Sequence, residues 1–175
     1  MNKKSNNKII FILAFFLLII TVTSITKIMQ NDTFFTIATG NEIIQNGYDN
    51  EDHLTWHENL HFYKLRWAFD VLIASIFNSF GFKGIYILVL IIGSITILSL
   101  YYILLKQKNS VILSFTGALI SSVLITSVSG FTARGQIISY LLLLWEVFFL
   151  ERLIETNQKR YYVFLGLISV LIVNF

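Results

Sequence analysis

Residues 67–82 read WAFDVLIASIFNSFGF, and whether this stretch crosses a membrane decides the topology of everything around it. It is apolar, yet it carries Asp70 and Asn78. It is also shorter than the roughly 20 residues that a helix needs to traverse a bilayer. Charge breaks the tie. If 67–82 does not cross, one side of the membrane receives Lys3, Lys4, Lys8, Lys106, Lys108, Arg152, Lys159 and Arg160, and the other receives Lys27, Lys64, Arg66, Lys83 and Arg134. The richer side is then cytoplasmic, as the positive-inside rule requires. A crossing would invert that balance. The stretch is therefore read as an amphipathic helix lying on the outer surface.

The rest of the chain supplies the membrane context. Only 13% of its residues are charged and 55% are hydrophobic, whereas a soluble domain is about a quarter charged. Residues 1–8 form a basic cytoplasmic cap. An apolar stretch follows at 9–28, too long for a signal peptide and followed by no small-residue cleavage site. Further spans are expected at 84–105, 110–129 and 136–154. A fifth begins at 161–175 and stops short of a full crossing, which suggests a piece of a longer multi-span protein. The expected fold is all-α: a polytopic membrane protein with about five transmembrane helices, the last incomplete, and a large outer loop at 29–83 with amphipathic surface helices. The expected location is the cell membrane, multi-pass, with the N-terminus cytoplasmic. Ser121, Ser122, Thr126 and Ser127 are small residues suited to helix packing.

The composition excludes several chemistries. There is no cysteine, so no disulfide, thiolate metal site or cysteine nucleophile exists. The basic residues sit at helix ends and form no basic patch with interleaved aromatics, so nucleic acid is not an expected partner.

The outer loop concentrates the ionisable groups. Seven of the ten acidic residues lie there (Asp32, Glu42, Asp49, Glu51, Asp52, Glu58 and Asp70), and so do His53, His57 and His61. On one helix His53 and His61 would be about 12 Å apart along the axis, too far for all three imidazoles to share one zinc. No metal is assigned. The acidic run 49–52 leaves room for a divalent cation held through oxygen. His57 is a candidate acid/base or phosphate contact. Lys64 and Arg66 are candidates to hold anionic headgroups. Asp70 stands four residues after Arg66, the spacing of a helical ion pair.

Asp32 follows the first span almost at once. It is expected to cap a helix from residue 33 to about 45, with Phe34, Ile37, Ala38 and Ile44 as the apolar face and Asn46-Gly47 as the stop. The same carboxylate would lie at the outer membrane surface, facing a lipid-borne substrate. Arg134 sits alone on an outer turn between apolar stretches. It is either a phosphate contact or an interfacial anchor reaching for water.

These features resemble the GT-C superfamily of membrane glycosyltransferases, in which an aspartate follows the first transmembrane helix. The nearest pattern is that of a bacterial group reading D-T-F-W-H-I-A-T-G, then S-W-H, then W-L-F-D-V. This chain has DTFFTIATG at 32–40, LTWHENL at 54–60, WAFDVLIA at 67–74 and ARGQIISYLLLLWEVFFLER at 133–152. The resemblance implies a sugar donor carried on polyprenyl phosphate, with membrane lipid as surroundings and a C-terminal portion or partner subunit completing the enzyme. It implies Asp32 as catalytic base. Beside it, His57 is the secondary catalytic candidate, and Arg134 and Arg66 are the candidates for substrate binding, Arg134 because of its lone position on the outer turn. A non-catalytic membrane subunit, scaffold or decayed fragment is the competing expectation.

Overall fold

The computed structural model describes residues 3–25, 29–51, 54, 56, 61, 63–107, 109–128 and 131–175. Six helices account for nearly all of them: α1 (Lys3–Ser24), α2 (Asn31–Asn46), α3 (Trp67–Lys106), α4 (Val111–Val128), α5 (Gln136–Thr156) and α6 (Arg160–Asn174). Among the described residues there is no strand, only an isolated antiparallel bridge between Glu51 and His61. The all-helical expectation holds. Within α1 and α3 lie segments long and apolar enough to cross a bilayer, while Val111–Ser127 and Arg160–Asn174 are apolar but shorter.

The stretch 67–82 is helical up to Gly81, where a non-helical kink joins it to the helix that follows. It opens the 40-residue α3, which is broken at Gly81 (φ 62°, ψ −157°). That backbone region is accessible essentially to glycine alone. The break falls between a part bearing Asp70 and Asn78 and a part, 84–105, whose side chains are uncharged. Phe77 and Phe82 close around the bend with ring centroids 4.8 Å apart. Phe34 of α2 meets Phe82 edge-on at 6.1 Å.

The chain divides into two compact units. One comprises Met1–Ile28 and Val89–Thr132. Here α1 packs on α4, with Leu17 and Ala118 fully buried. Thr21 donates to the Leu17 carbonyl at 2.8 Å and shares a 3.3 Å hydrogen bond with Ser122, whose side chain is buried. Ser122 thus acts as the expected packing residue. Thr126 and Ser127 instead satisfy their hydroxyls on their own helix, at the carbonyls of Ser122 and Val123. Phe11, Ile12, Phe15 and Phe16 of α1 and Ile112, Leu113 and Leu124 of α4 point outward and are exposed.

The other unit comprises Met29–Leu88 and Ala133–Phe175. In it α2 lies against the first half of α3. The approach is close: a Cβ on Gly40 would fall 2.0 Å from the Asp70 carbonyl oxygen and 2.7 Å from the Ala74 Cβ. The buried residues of α2 are Thr33, Thr36, Ile37, Thr39, Gly40, Glu42 and Ile43, among which Thr33, Thr36, Ile37, Gly40 and Ile43 are spaced three and four apart on the face that carries Gly40. The expected apolar face is corrected accordingly. Ile37 is buried, but Phe34 and Ile44 are exposed, because backbones this close admit only small or slender side chains between them. α5 and α6 pack together through Phe149 and Phe164, stacked at 5.0 Å. α6 brings Asn174 back to Trp67, whose indole N–H donates to it at 2.7 Å.

The conformation at Gly81 yields a direct expectation. Gly81→Ala should lower stability by about 1–3 kcal/mol, because alanine is strained at this φ and ψ. Equilibrium unfolding in mixed micelles reads this out. An unchanged midpoint would mean that the bend does not need glycine.

Candidate functional site

The site is built around the start of α2. Gln30, in extended conformation, is the N-cap. Its carbonyl accepts from the Thr33 N–H at 2.9 Å, and its own N–H donates to Thr33 Oγ1 at 3.2 Å. Asp32 is therefore not the cap, as its sequence position suggested. It is a residue of the first helical turn, where a carboxylate is favoured by the exposed N–H groups and the helix dipole. Freed from capping, its side chain reaches elsewhere.

What it reaches is Arg134. The Asp32 carboxylate and the Arg134 guanidinium form an ion pair, with 47% and 35% of their side chains exposed. Arg134 also donates from Nη1 to Gln30 Oε1 at 3.2 Å. Thr33 Oγ1 donates to the Ala133 carbonyl at 3.4 Å, tying the first turn of α2 to the turn that precedes α5. Arg66 comes to the same turn, its Cδ 3.4 Å from where a Cβ on Gly135 would stand. Three residues singled out in the sequence, Asp32, Arg134 and Arg66, thus converge from positions up to 102 apart. The fourth, His57, lies outside the described residues, as does His53. His61 is exposed, with its backbone bridged to Glu51.

Two further charged residues of this unit, Lys64 and Asp70, are buried, where the sequence suggested a headgroup contact and a helical ion pair. Lys64 is 2% exposed. Its ammonium donates to Glu42 Oε1 at 2.8 Å and to Asp49 Oδ1 at 2.6 Å. Burial alone would lower its pKa, but its hydrogen bonds to Asp49 and Glu42 and their charges outweigh this and raise it. Lys64 is a strut between α2 and the following loop, not the headgroup contact expected for it. Asp49 is correspondingly engaged by Lys64, and Asp52, at the other end of the acidic run, lies outside the described residues. Among the described residues no group of three metal-ligating side chains occurs.

Asp70 is the second buried group. It is 4% exposed, and its Oδ1 has no hydrogen-bond partner. The expected ion pair with Arg66 is replaced by a backbone bond, Asp70 N–H to the Arg66 carbonyl at 3.0 Å. Burial pushes the Asp70 carboxyl up to about 6, against the pull of the Arg66 charge and the Thr36 hydroxyl. Glu146, on α5, is part-exposed.

Both buried groups have measurable consequences. Lys64→Met leaves Glu42 buried without its cation, and should cost about 3–5 kcal/mol. Lys64→Met combined with Glu42→Met should recover part of that loss. Equal destabilisation by the single and double variants in equilibrium unfolding would show that the pair is not the unit of stability.

Asp70 gives a pH signature. A carboxyl at about 6 when folded and 3.8 when unfolded binds more protons in the folded state between those values. Stability therefore falls as pH rises from about 4 to 6 and levels off above, a loss of about 3 kcal/mol in total. Asp70→Asn is expected to be more stable than the parent at pH 7.5, with the advantage fading towards pH 4. An advantage that does not change with pH would contradict this origin.

Searches against protein families, curated proteins and solved structures find no match to this chain.

Proposed function

We propose that this chain is a membrane glycosyltransferase, or the N-terminal portion of one, that moves a sugar from a polyprenyl-phosphate carrier to an acceptor on the outer face of the membrane. The reading rests on the resemblance carried by residues 32–40, 54–60, 67–74 and 133–152. The observation that supports it most is the meeting of Asp32 with Arg134. A base and a phosphate contact have to share one substrate, and these two share an ion pair across 102 residues of sequence.

The membrane setting is part of the same proposal. Five helices cross the bilayer, and 29–83 stays outside with α2 and residues 67–80 on the surface. Outward-facing apolar side chains on α1, α4, α5 and α6 support it: Phe11, Phe15, Leu113, Val147, Leu167 and Val173 are all exposed, and lipid is the solvent that suits them. The break at Gly81 supports it too, because it divides α3 where a surface segment would end and a span begin.

The chemistry follows from the charges. The acceptor hydroxyl gives its proton to the Asp32 carboxylate as its oxygen attacks the anomeric carbon. The bond from that carbon to the phosphate oxygen breaks, and the lipid phosphate leaves with its added negative charge stabilised by the guanidiniums of Arg134 and Arg66. His57 remains the secondary acid/base candidate on sequence grounds.

A second reading has its own observation. Asp32 and Arg134 are already paired, which is what a structural latch in a non-catalytic subunit or scaffold would also look like. Transfer from a labelled polyprenyl-phosphate sugar pool in membranes separates the two. The glycosyltransferase reading expects transfer that falls at least a hundredfold in Asp32→Asn, in the range for loss of a general base, with the variant inserting normally. Equal transfer by parent and variant would remove Asp32 as the base. No transfer by either, with normal insertion, would favour the scaffold.

A further inference from the structure

The guanidinium that would receive a substrate phosphate is already held by the carboxylate that would act as base. From this we propose that the Asp32–Arg134 pair is an exchange latch: the phosphate group of a polyprenyl carrier, a diester in the sugar donor and a monoester in the product, binds by displacing Asp32 from Arg134, and displacement by the donor releases the carboxylate for the acceptor. The inference rests on the proposed role of Arg134 as the phosphate contact.

The geometry carries the exchange. Arg134 has three N–H-bearing nitrogens: Nη2 meets Asp32, Nη1 donates to Gln30 Oε1 at 3.2 Å, and Nε is buried with no hydrogen-bond partner. An unsatisfied Nε beside a single ion-paired Nη2 is a half-used fork, and a phosphate offers the two or three oxygens that would fill it. Both side chains are more than a third exposed, so the pair is in reach of an anion and is held together weakly. Arg66 is a second cation near the same turn, its Cδ 3.4 Å from where a Cβ on Gly135 would stand. Asp32 loses little when displaced. It stays on the first turn of α2, where free N–H groups and the helix dipole still stabilise its charge.

The contrast with Lys64 sharpens the point. That cation has two carboxylate partners and 2% exposure, so no ligand can compete for it. Arg134 has one carboxylate partner and an open side.

The test is a double-mutant cycle on binding, using the full chain in nanodiscs and polyprenyl monophosphate as the probe, with inorganic phosphate as a second arm. Asp32→Asn keeps the size of the side chain and removes its charge. It should tighten the affinity for the lipid phosphate about two- to fivefold, the span expected for loss of an exposed competing ion pair. Arg134→Gln should weaken binding, and in its background Asp32→Asn should have no further effect, because the competition runs through Arg134. A gain from Asp32→Asn that persists without Arg134 would overturn the latch and leave simple charge repulsion. Equal affinity in the parent and Asp32→Asn, with Arg134→Gln still weakening binding, would overturn the latch while keeping Arg134 as the phosphate contact. No effect of Arg134→Gln would overturn both. Tightening for polyprenyl monophosphate and inorganic phosphate alike would mark the phosphate group itself as the competitor. Tightening for neither, with intact helical content by circular dichroism, would refute the proposal. A repeat with Asp32→Ser guards against any local effect of asparagine at the helix start.

Discussion

The contact on which the second unit depends is the passage of the α2 backbone over the Asp70 carbonyl at Gly40. A Cβ there would stand 2.0 Å from that oxygen, so the two segments are set by their main chains and not by interdigitated side chains. Once Gly40 is fixed, the rest of α2 follows. The face that carries Gly40 is buried at 33, 36, 37 and 43, and 39 and 42 are buried beside it. The start of α2 lies about 12 Å further along the axis, eight residues at 1.5 Å each. Asp32 is carried to that position by the helix, and the turn at Ala133–Arg134 is held to the same end through Thr33.

Two buried charges sit on the same framework, and they differ in kind. Lys64 is compensated: two carboxylates surround it, and their attraction offsets the desolvation of the ammonium. Asp70 is not, since its Oδ1 has no partner and its carboxyl is pushed up to about 6. Both follow from the close approach at Gly40. Bringing α2 this near to α3 takes the side chain of Asp70 out of water, and the same closeness encloses Glu42 two residues further along α2. Glu42 needs a cation, and Lys64 supplies it from the far end of the loop.

The sequence foretold helices well and partners poorly. Each expected apolar stretch is helical over most of its described residues, because runs of Leu, Ile and Phe without proline leave few alternatives for the backbone. The stop at Asn46-Gly47 was legible from turn chemistry, and Gly47 indeed adopts positive φ. Charge balance also flagged residues 67–82 as unlike their neighbours, and the break at Gly81 falls at the end of that stretch. The inward face of α2 was not legible. Hydrophobicity ranks Phe34 and Ile44 as core residues, whereas the packing distance ranks them as too large. Asp32 as cap failed for a related reason. Gln30 is a poor cap by statistics, yet its backbone and the Thr33 hydroxyl satisfy one another. The pairing of Lys64 with Glu42, 22 residues apart, has no periodic signal. The convergence of Asp32, Arg134 and Arg66 was anticipated only as three separate charges on one side of a membrane.

The electrostatics of this unit thus divide by exposure. Where charges are buried they are structural, and their partners are unavailable: Lys64 cannot leave Glu42 without stranding a carboxylate in a place water does not reach. Where charges are exposed, as at Asp32 and Arg134, water can stand in for either partner, so separating them costs about 1 kcal/mol or less. A site that takes up an anion and later releases it, as proposed for Arg134, requires the second kind of pair. The firm framework at Gly40 and Lys64 supports the loose pair at Arg134, because a weak contact recurs in one geometry only when both of its backbones are held by something stronger.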